Sequence, residues 1–395
     1  MPYYPQSPEF SALPDSVSDA MLSNMPDGTV KGRAAGAGTG DPTDLTGAQV
    51  AALLPAGSIN SIAPLSYRNI LGRNGGFEVW QRGAGESAVI AIPASSWGYT
   101  ADGWFLTGLA ANQASTVTQI AGLTPTSRYA ARIQRNSGQT GVSGYTFEYP
   151  LDTDEIAPMR GQVVTLSLTL SAGANFSAAG SLVQIQLYTG TGAPARRSAA
   201  VYTGDTKPID VSQAITSTAT RYSFTSSVAV NGAAAQASLV IIYTPVGTAG
   251  AADSFEIDDA QLEIGTQATP FERRPFEQEL LACRRHFQKS FGYATAPLFA
   301  AGNHTGESIT QLIVAGAAQV AIVEPWSVVM RAAPTMTLYN PGAANGQTRN
   351  QSASLDHSAT NALLSERRFL VSSTSNPAGV ATHQVGIHWI ADAGI

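Results

Sequence analysis

The sequence predicts an all-β protein: an extended N-terminal segment with short helices, an antiparallel jelly-roll sandwich, a connecting helix and a small C-terminal β-sandwich. Three observations carry that prediction. From Asn74 to Glu263, short alternating apolar runs are separated by Gly, Asn, Asp and Pro, with hardly any helical period between them. Before them lies a stretch rich in Pro, Gly, Ala and Ser that has little to bury. After them comes one clear helical pattern and then a return to β alternation. The expected boundaries are residues 1–70, 71–270, 271–292 and 293–395.

Composition narrows the classes. The chain has 395 residues, 44% of them hydrophobic, enough for at least one substantial core. Only 13% are charged, against roughly 25% in ordinary soluble proteins. Lysine occurs only at Lys31, Lys207 and Lys289. The surface is therefore expected to be Ser, Thr, Asn, Gln, Gly and Ala, a composition more typical of extracellular or virion proteins than of cytosolic enzymes. A net charge of −6 gives no attraction for phosphate backbones, so no nucleic-acid partner is expected. One cysteine, Cys283, excludes an intrachain disulfide framework and four-cysteine zinc sites. Met1 to Phe10 lacks the basic and apolar regions of a signal peptide, and no stretch approaches the ~20 apolar residues of a membrane span.

Two short helices are expected in residues 1–70. In the first, Ser16 and Asp19 precede Met21, Leu22 and Met25; in the second, Thr46 and Gln49 have capping-box spacing, with Leu45 and Val50 placed as a staple. Between them, Gly28 to Gly40 is too glycine-rich for helix and reads as extended. Each helix would expose an apolar stripe, so the segment is expected to be ordered by copies of itself or by a docking partner. Asp27-Gly28-Thr29-Val30-Lys31-Gly32-Arg33, Gly40 to Thr46 and Gln49 to Leu54 resemble a connector in tail fibres of tailed bacteriophages. That resemblance implies a trimeric, virion-proximal segment that docks on other virion proteins.

In the middle, strands are expected at 128–135, 144–149, 163–170, 182–188, 221–230, 238–243 and 254–262, a spacing that indicates a sandwich. Asn74-Gly75-Gly76-Phe77-Glu78-Val79-Trp80-Gln81-Arg82-Gly83 reads as a turn feeding an alternating strand, and Phe255 to Glu263 reads as its closing partner. These two stretches, with Tyr99-Thr100-Ala101-Asp102-Gly103-Trp104, resemble carbohydrate-binding jelly-roll modules, above all those embedded in phage fibre proteins. The resemblance implies a structural calcium ion at Glu78 with Asp258 or Asp259. Calcium takes several oxygen ligands, so two carboxylates are not sufficient; capping of turns or pairing with arginines such as Arg82 is the alternative. Sugar recognition needs an exposed aromatic face with amides and carboxylates beside it. The candidates are Trp97, Tyr99, Trp104, Tyr145 and Tyr188, with Tyr149 and Tyr202 behind them, while Phe77 and Trp80 are expected in the core.

Catalytic patterns are thin. Asp152, Asp154 and Glu155 cluster in an expected solvated loop rather than facing a second carboxyl across a cleft. The histidines His286, His304, His357, His383 and His388 lack zinc spacing, and there is no Gly-x-Ser-x-Gly elbow. No enzyme is expected.

The helical pattern runs from Phe276 to about Phe291, with Pro275 at its first turn, early Glu277 and Glu279, and later Arg284, Arg285 and Lys289. Phe276, Leu280, Cys283 and Phe287 step by four, three and four residues, a seam of about two heptads. Ala268 to Arg274 and Glu279 to Ser290 resemble the segment that joins jelly roll to terminal domain in phage tail fibres. Strands are then expected at 309–314, 320–323, 328–331, 335–339, 368–372 and 385–390, with variable loops at 340–350 and 372–379. Met330 to Asn340 and His388 to Ala393 resemble the distal ends of the same proteins. The resemblances together imply a homotrimeric tail fibre or spike subunit on a virion, adhering to host cell-surface polysaccharide. The alternatives are a capsid-attached head fibre or decoration protein without obligatory glycan, and a polysaccharide depolymerase.

Overall fold

The computed structural model describes residues 30–34, 36–38, 43–46, 49–50, 53, 68–85, 88–312, 320–373 and 383–394. The chain divides after Ser66 into two units. In the first, β1 (Val30–Gly32) pairs antiparallel with β2 (Thr43–Leu45), so of the stretch expected to be extended Val30–Gly32 is strand, while Gly36 lies in a turn. The Thr46–Gln49 capping box is present: Thr46 N donates to Gln49 Oε1 at 2.8 Å and Gln49 N to Thr46 Oγ1 at 3.3 Å. The helix expected around Ser16 to Met25 lies outside the described residues.

The second unit, Tyr67–Ile395, begins with the sandwich. Its elements are β3 (Val89–Ile92), β4 (Ser96–Tyr99), β5 (Phe105–Gly108), β6 (Ser115–Ala121), β7 (Tyr129–Arg135), β8 (Tyr145–Leu151), α1 (Thr153–Ile156), β9 (Val164–Ala172), β10 (Leu182–Gly190), β11 (Thr206–Ala214), β12 (Thr220–Thr225), β13 (Gln236–Tyr243) and β14 (Ser254–Ile264). Two six-stranded antiparallel sheets result, ordered β11-β10-β13-β8-β5-β4 and β12-β9-β14-β7-β6-β3. Period-two alternation builds the core between them. Strand β9 turns Val164, Leu166, Leu168 and Leu170 inward; β8 does the same with Tyr145, Phe147, Tyr149 and Leu151.

The 74–83 stretch is not the alternating strand expected. It is a tight loop in which Asn74 and Phe77 take left-handed backbone (φ 53° and 56°), an uncommon conformation for a bulky residue. The Asn74 side chain replaces a strand partner: Nδ2 donates to Val79 O (2.7 Å) and Asp102 O (3.0 Å), and Oδ1 accepts from Val79 N (2.8 Å). The loop docks on a β-bulge in β14, where pairing with β9 slips between Asp258 and Gln261. Ala260 N donates to Gly75 O at 2.9 Å. A Cβ on Gly75 would lie 2.4 Å from Ala260 O, so the approach requires glycine.

The connecting helix α2 spans Phe276–Arg284, shorter than the expected run to Phe291. Phe287, placed on a helical seam by its spacing, instead begins β15 (Phe287–Lys289), which pairs with the last strand of the chain. Leu280 and Cys283 pack on Val79, with Phe276 and Tyr293 beside them. The seam therefore faces this chain's own opening loop. The rest comprises β16 (Ser308–Leu312), β17 (Val320–Pro325), β18 (Thr335–Tyr339), β19 (Thr348–Asn350), β20 (Leu355–His357), β21 (Ala359–Leu364), β22 (Arg368–Ser373) and β23 (His383–Asp392). Strand β23 is the hub, pairing with β15, β16, β18 and β19, while β17-β22-β21 form a separate sheet. The strand expected at Val328 to Arg331 is absent; Met330 instead enters the small core with Trp326, Phe369 and Trp389. Most of the 372–379 loop lies outside the described residues. No described helix is long and apolar enough to cross a membrane.

The terminal piece is tied to the sandwich. Tyr293 Oη donates to Glu78 O (3.1 Å) and accepts from Trp80 N (3.0 Å), and Arg82 pairs with Asp392 at 2.9 Å.

Candidate functional site

Pairing registers assign the outward face of the sheet that ends in β4. One row across it reads Tyr99, Phe105, Glu148, Val240, Gln186, Asp210. Beside it runs Trp97, Thr107, Thr146, Ile242, Gln184, Ser212. Tyr188 opposite Ser238 belongs to the same face. An aromatic edge thus grades into a strip of amides and carboxylates.

Residues 191–205, the connection from β10 to β11, roof part of this face. The Glu148 carboxylate is fully buried beneath it; Ser198 N donates to Glu148 Oε2 at 3.1 Å and the Ser198 hydroxyl donates to Oε1. Burial raises the Glu148 pKa against the lowering effect of those hydrogen bonds and of Arg196. The Arg196 guanidinium lies 3.6 Å above the Trp97 ring, and Arg197 lies 4.6 Å above Tyr188 while pairing with Asp205 at 2.9 Å. Tyr202 packs with Tyr188 and Val240, its hydroxyl 2.8 Å from Ser238 Oγ.

Beyond the roof, Asp210 accepts from Gln186 Nε2 (2.7 Å), Gln184 Nε2 (3.3 Å) and Lys207 Nζ (3.2 Å), which hold its pKa down, the Gln186 bond foremost. Gln186 Oε1 is buried with no protein partner. At the opposite edge Trp97 is 46% exposed. Tyr99 leads into a cleft of ≈ 410 Å³ lined by Thr335, Thr337 and Asp392. Arg82 covers the Tyr99 ring at 3.2 Å, and burial pushes the phenol up to about 12.

The expected glycan residues therefore separate. Trp97 and Tyr99 lie on the outward face with solvent access, and Tyr188 lies on that face under Arg197. Trp104 and Tyr145 are corrected: both point between the sheets and are essentially unexposed. Trp104 stacks on Phe147 at 4.8 Å with its indole N–H given to Asn74 O, and Tyr145 stacks on Tyr243 at 5.9 Å. Tyr149 is likewise core, and Tyr202 belongs to the roof. Phe105, Glu148, Gln184, Gln186 and Asp210 were missed, although alternation within the 182–188 run places Gln184, Gln186 and Tyr188 on one face.

The donor set at Glu78, Asp258 and Asp259 does not fit calcium as arranged. Both oxygens of Asp259 are held at 2.9 Å by Arg273 Nη2, so a guanidinium stands where a cation would. Asp258 accepts from Leu123 N (2.9 Å) and Asp259 N (2.7 Å), and burial with the adjacent Asp259 raises it to about 7. The Glu78 carboxyl is raised by burial and by Glu279. Among the described residues no group of three His, Cys, Asp or Glu is arranged to hold a metal.

The Asp152–Glu155 cluster is not a solvated loop. Asp152 and Glu155 form a capping box on α1, and Glu155 pairs with buried Arg73 at 2.7 Å. Ser290, His388 and Glu307 have the makings of a hydrolytic relay, with Ser290 Oγ 3.0 Å from His388 Nδ1 and His388 Nε2 3.8 Å from Glu307. However, Ser290 Oγ accepts from Trp389 N at 2.9 Å, and His388 is fully buried under the Phe291 ring at 4.2 Å. This arrangement holds β15 to β23 and presents no nucleophile.

No protein-family model matches the chain, and no curated protein matches it. Similar solved structures are mainly carbohydrate-binding modules at low identity, with an α-L-arabinofuranosidase among them. A CBM4 structure is 13% identical and covers 49% of this chain and 98% of its own, with a TM-score of 0.28. The family 11 module of the cellulosomal cellulase Lic26A-Cel5E of Clostridium thermocellum is 12% identical over 44% of this chain and 89% of its own, at 0.26. The CBM22-1-CBM22-2 tandem of Paenibacillus barcinonensis Xyn10C is 12% identical over 78% and 91%, at 0.28. A likeness that weak leaves function to the geometry of the chain itself.

Proposed function

We propose that this chain is an adhesion subunit that binds bacterial surface polysaccharide along the outward face of the β4 to β11 sheet. The observation that carries this reading is the graded face itself: exposed Trp97 at the β4 edge, Glu148 under the roof on β8, then Gln184, Gln186 and Asp210 on β10 and β11. A pyranose offers one apolar face to an indole and hydroxyls to amides and carboxylates. The unpartnered Gln186 Oε1 supplies a buried acceptor, and such a group calls for a ligand or water.

Retention of the chain on immobilised bacterial polysaccharides is the test, with Trp97→Ala as the variant. Losing the stacking platform costs ~0.5–1.5 kcal/mol, up to about tenfold in affinity. Equal retention of the variant, or none of the wild type, would remove the reading.

The wider assignment, a homotrimeric tail fibre or spike on a phage-like virion, rests on the resemblances at residues 27–54, 74–83, 258–265 and 268–290. Native mass spectrometry tests it, and a monomer would exclude it. A second reading, a capsid-attached head fibre or decoration protein with no obligatory glycan, is favoured by the roof: residues 191–205 already satisfy Glu148 and cover Tyr188. Particle microscopy distinguishes the two attachment points.

A further inference from the structure

The other sheet carries an unexplained group. Along the outward side of β9, Thr165, Ser167, Thr169 and Ser171 are all buried. Three of them have partners: Thr165 bonds Thr225 Oγ1 (2.9 Å) and Gly265 O (2.8 Å), Ser167 accepts from Arg221 (2.6 Å), and Ser171 donates to Glu256 (2.8 Å). The Thr169 hydroxyl, on a residue 1% exposed, has none. Leaving such a group unpaired is destabilising, because its lost hydration is not replaced.

Thr169 lines an open cleft of ≈ 610 Å³, within the ~300–1,000 Å³ range of small-molecule sites. Leu123 and Thr124 from the β6–β7 turn, Arg221 from β12, and Phe271 and Arg273 from the segment after β14 form its walls. Arg273 spends Nη2 on Asp259, and its Nη1 is buried without a partner. The cleft therefore combines a hydroxyl, a free guanidinium N–H and the carboxylate of Asp259 with an aromatic wall. Arg273 pairs with Asp259, and Arg221 lies in the field of Asp259 and Glu263, so two guanidiniums face two carboxylates and no strong net charge selects an ion.

We propose that this cleft is a second saccharide subsite, on the sheet opposite the Trp97 face, that takes a neutral pyranose unit. Phe271 meets the apolar side of the sugar, Arg273 Nη1 donates to one hydroxyl, and Thr169 exchanges a hydrogen bond with its neighbour. Only the ligand class rests on the glycan reading; the place rests on Thr169 and Arg273. Two subsites on opposite sheets would let one subunit engage two chains of a dense polysaccharide, which raises avidity without new contacts.

Saturation-transfer NMR on the full chain tests this with methyl α-mannopyranoside, methyl β-galactopyranoside and N-acetylglucosamine at millimolar concentration. Sodium glucuronate and inorganic phosphate serve as ionic probes. At least one neutral sugar is expected to respond with wild type and with Trp97→Ala, and to lose at least fivefold in affinity with Thr169→Val. The valine variant keeps its shape and removes an unpaired hydroxyl, so its Tm stays equal or rises. Binding by Thr169→Val at wild-type strength, response to the ionic probes alone, or no response at all overturns the subsite. Loss of sugar response in Trp97→Ala places binding on the other face and also overturns it. Failure of polysaccharide retention with the cleft still responsive would instead remove the Trp97 face alone.

Discussion

The Asp258–Asp259 pair sets a measurable pH dependence of stability. Asp258 is fully buried, and burial first, then the Asp259 charge, raises its pKa from 3.8 to about 7. The unfolded chain releases this proton near pH 4, whereas the folded chain holds it to near pH 7. The stabilising contribution is therefore complete below pH 4 and is lost as pH rises toward 7. From 3.8 to about 7 is about three pH steps at ~1.4 kcal/mol each, a ceiling of about 4 kcal/mol. Asp258→Asn removes the titration. It also turns an amide N–H toward either Leu123 N or Asp259 N, a fixed cost of ~1–3 kcal/mol at every pH. Urea unfolding of both proteins from pH 4 to pH 8 separates the two effects, because only the titration changes their difference. Wild type is expected to lose up to about 4 kcal/mol relative to the variant across that range. Parallel curves would refute the reasoning. A calcium-induced rise in wild-type Tm at pH 8, absent from Asp258→Asn, would show that a cation displaces Arg273 from Asp259.

Gly75→Ala drives a Cβ to 2.4 Å from Ala260 O and is expected to destabilise by ~1–3 kcal/mol in urea unfolding; an unchanged midpoint would mean that the bulge yields freely. Asp253→Ala strands Arg135, whose pair with Asp253 at 3.1 Å is wholly buried, and should cost ~3–5 kcal/mol, read from the same transition. Ser198→Ala removes the hydroxyl latch on Glu148 and leaves the backbone bond. If the roof must move for polysaccharide to bind, affinity rises, by up to about tenfold for a charged hydrogen bond of ~1.5 kcal/mol. A fall in affinity would make the roof part of the site.

The strands that were legible in the sequence are those whose alternation is complete within one run. Leu182 to Tyr188 needs no partner to reveal which residues face inward, whereas the parity of Ser254 to Leu262 changes at the bulge, from Phe255 and Ile257 to Ala260 and Leu262. Strands β3 to β5 are short, β6 turns Ser115 and Gln119 inward beside Val117, and β11 begins Thr-Lys-Pro at the sheet edge, so their pattern emerges only from pairing. The helix ends at Arg284 because Phe287 to Lys289 bond to β23, about a hundred residues away; local spacing carries no trace of that competition. Tyr145 could have been placed in the core from sequence. It shares parity with Phe147, Tyr149 and Leu151, and an apolar set of that length fills one face. Trp97 is different: its outward direction follows only from its register opposite Thr107.

The low charge content has a cause within the fold. Both outward faces of the sandwich are partly covered by the chain itself, one by residues 191–205 and the other by residues 266–274. Positions such as Thr165, Ser167 and Ser238 point away from the core and are nevertheless buried. A lysine or glutamate at such a position needs a buried partner, whereas a hydroxyl is satisfied by one neighbouring hydroxyl or carbonyl, as with Thr165 and Ser238. Where charges do occur under cover they are paired or hydrogen-bonded: Arg73 with Glu155, Arg135 with Asp253, Glu148 with Ser198. The neutral polar composition is thus what a sandwich with covered faces requires. Against that pattern of satisfied hydroxyls and amides, the unpartnered atoms of Thr169 and Gln186 stand out, one on each outward face.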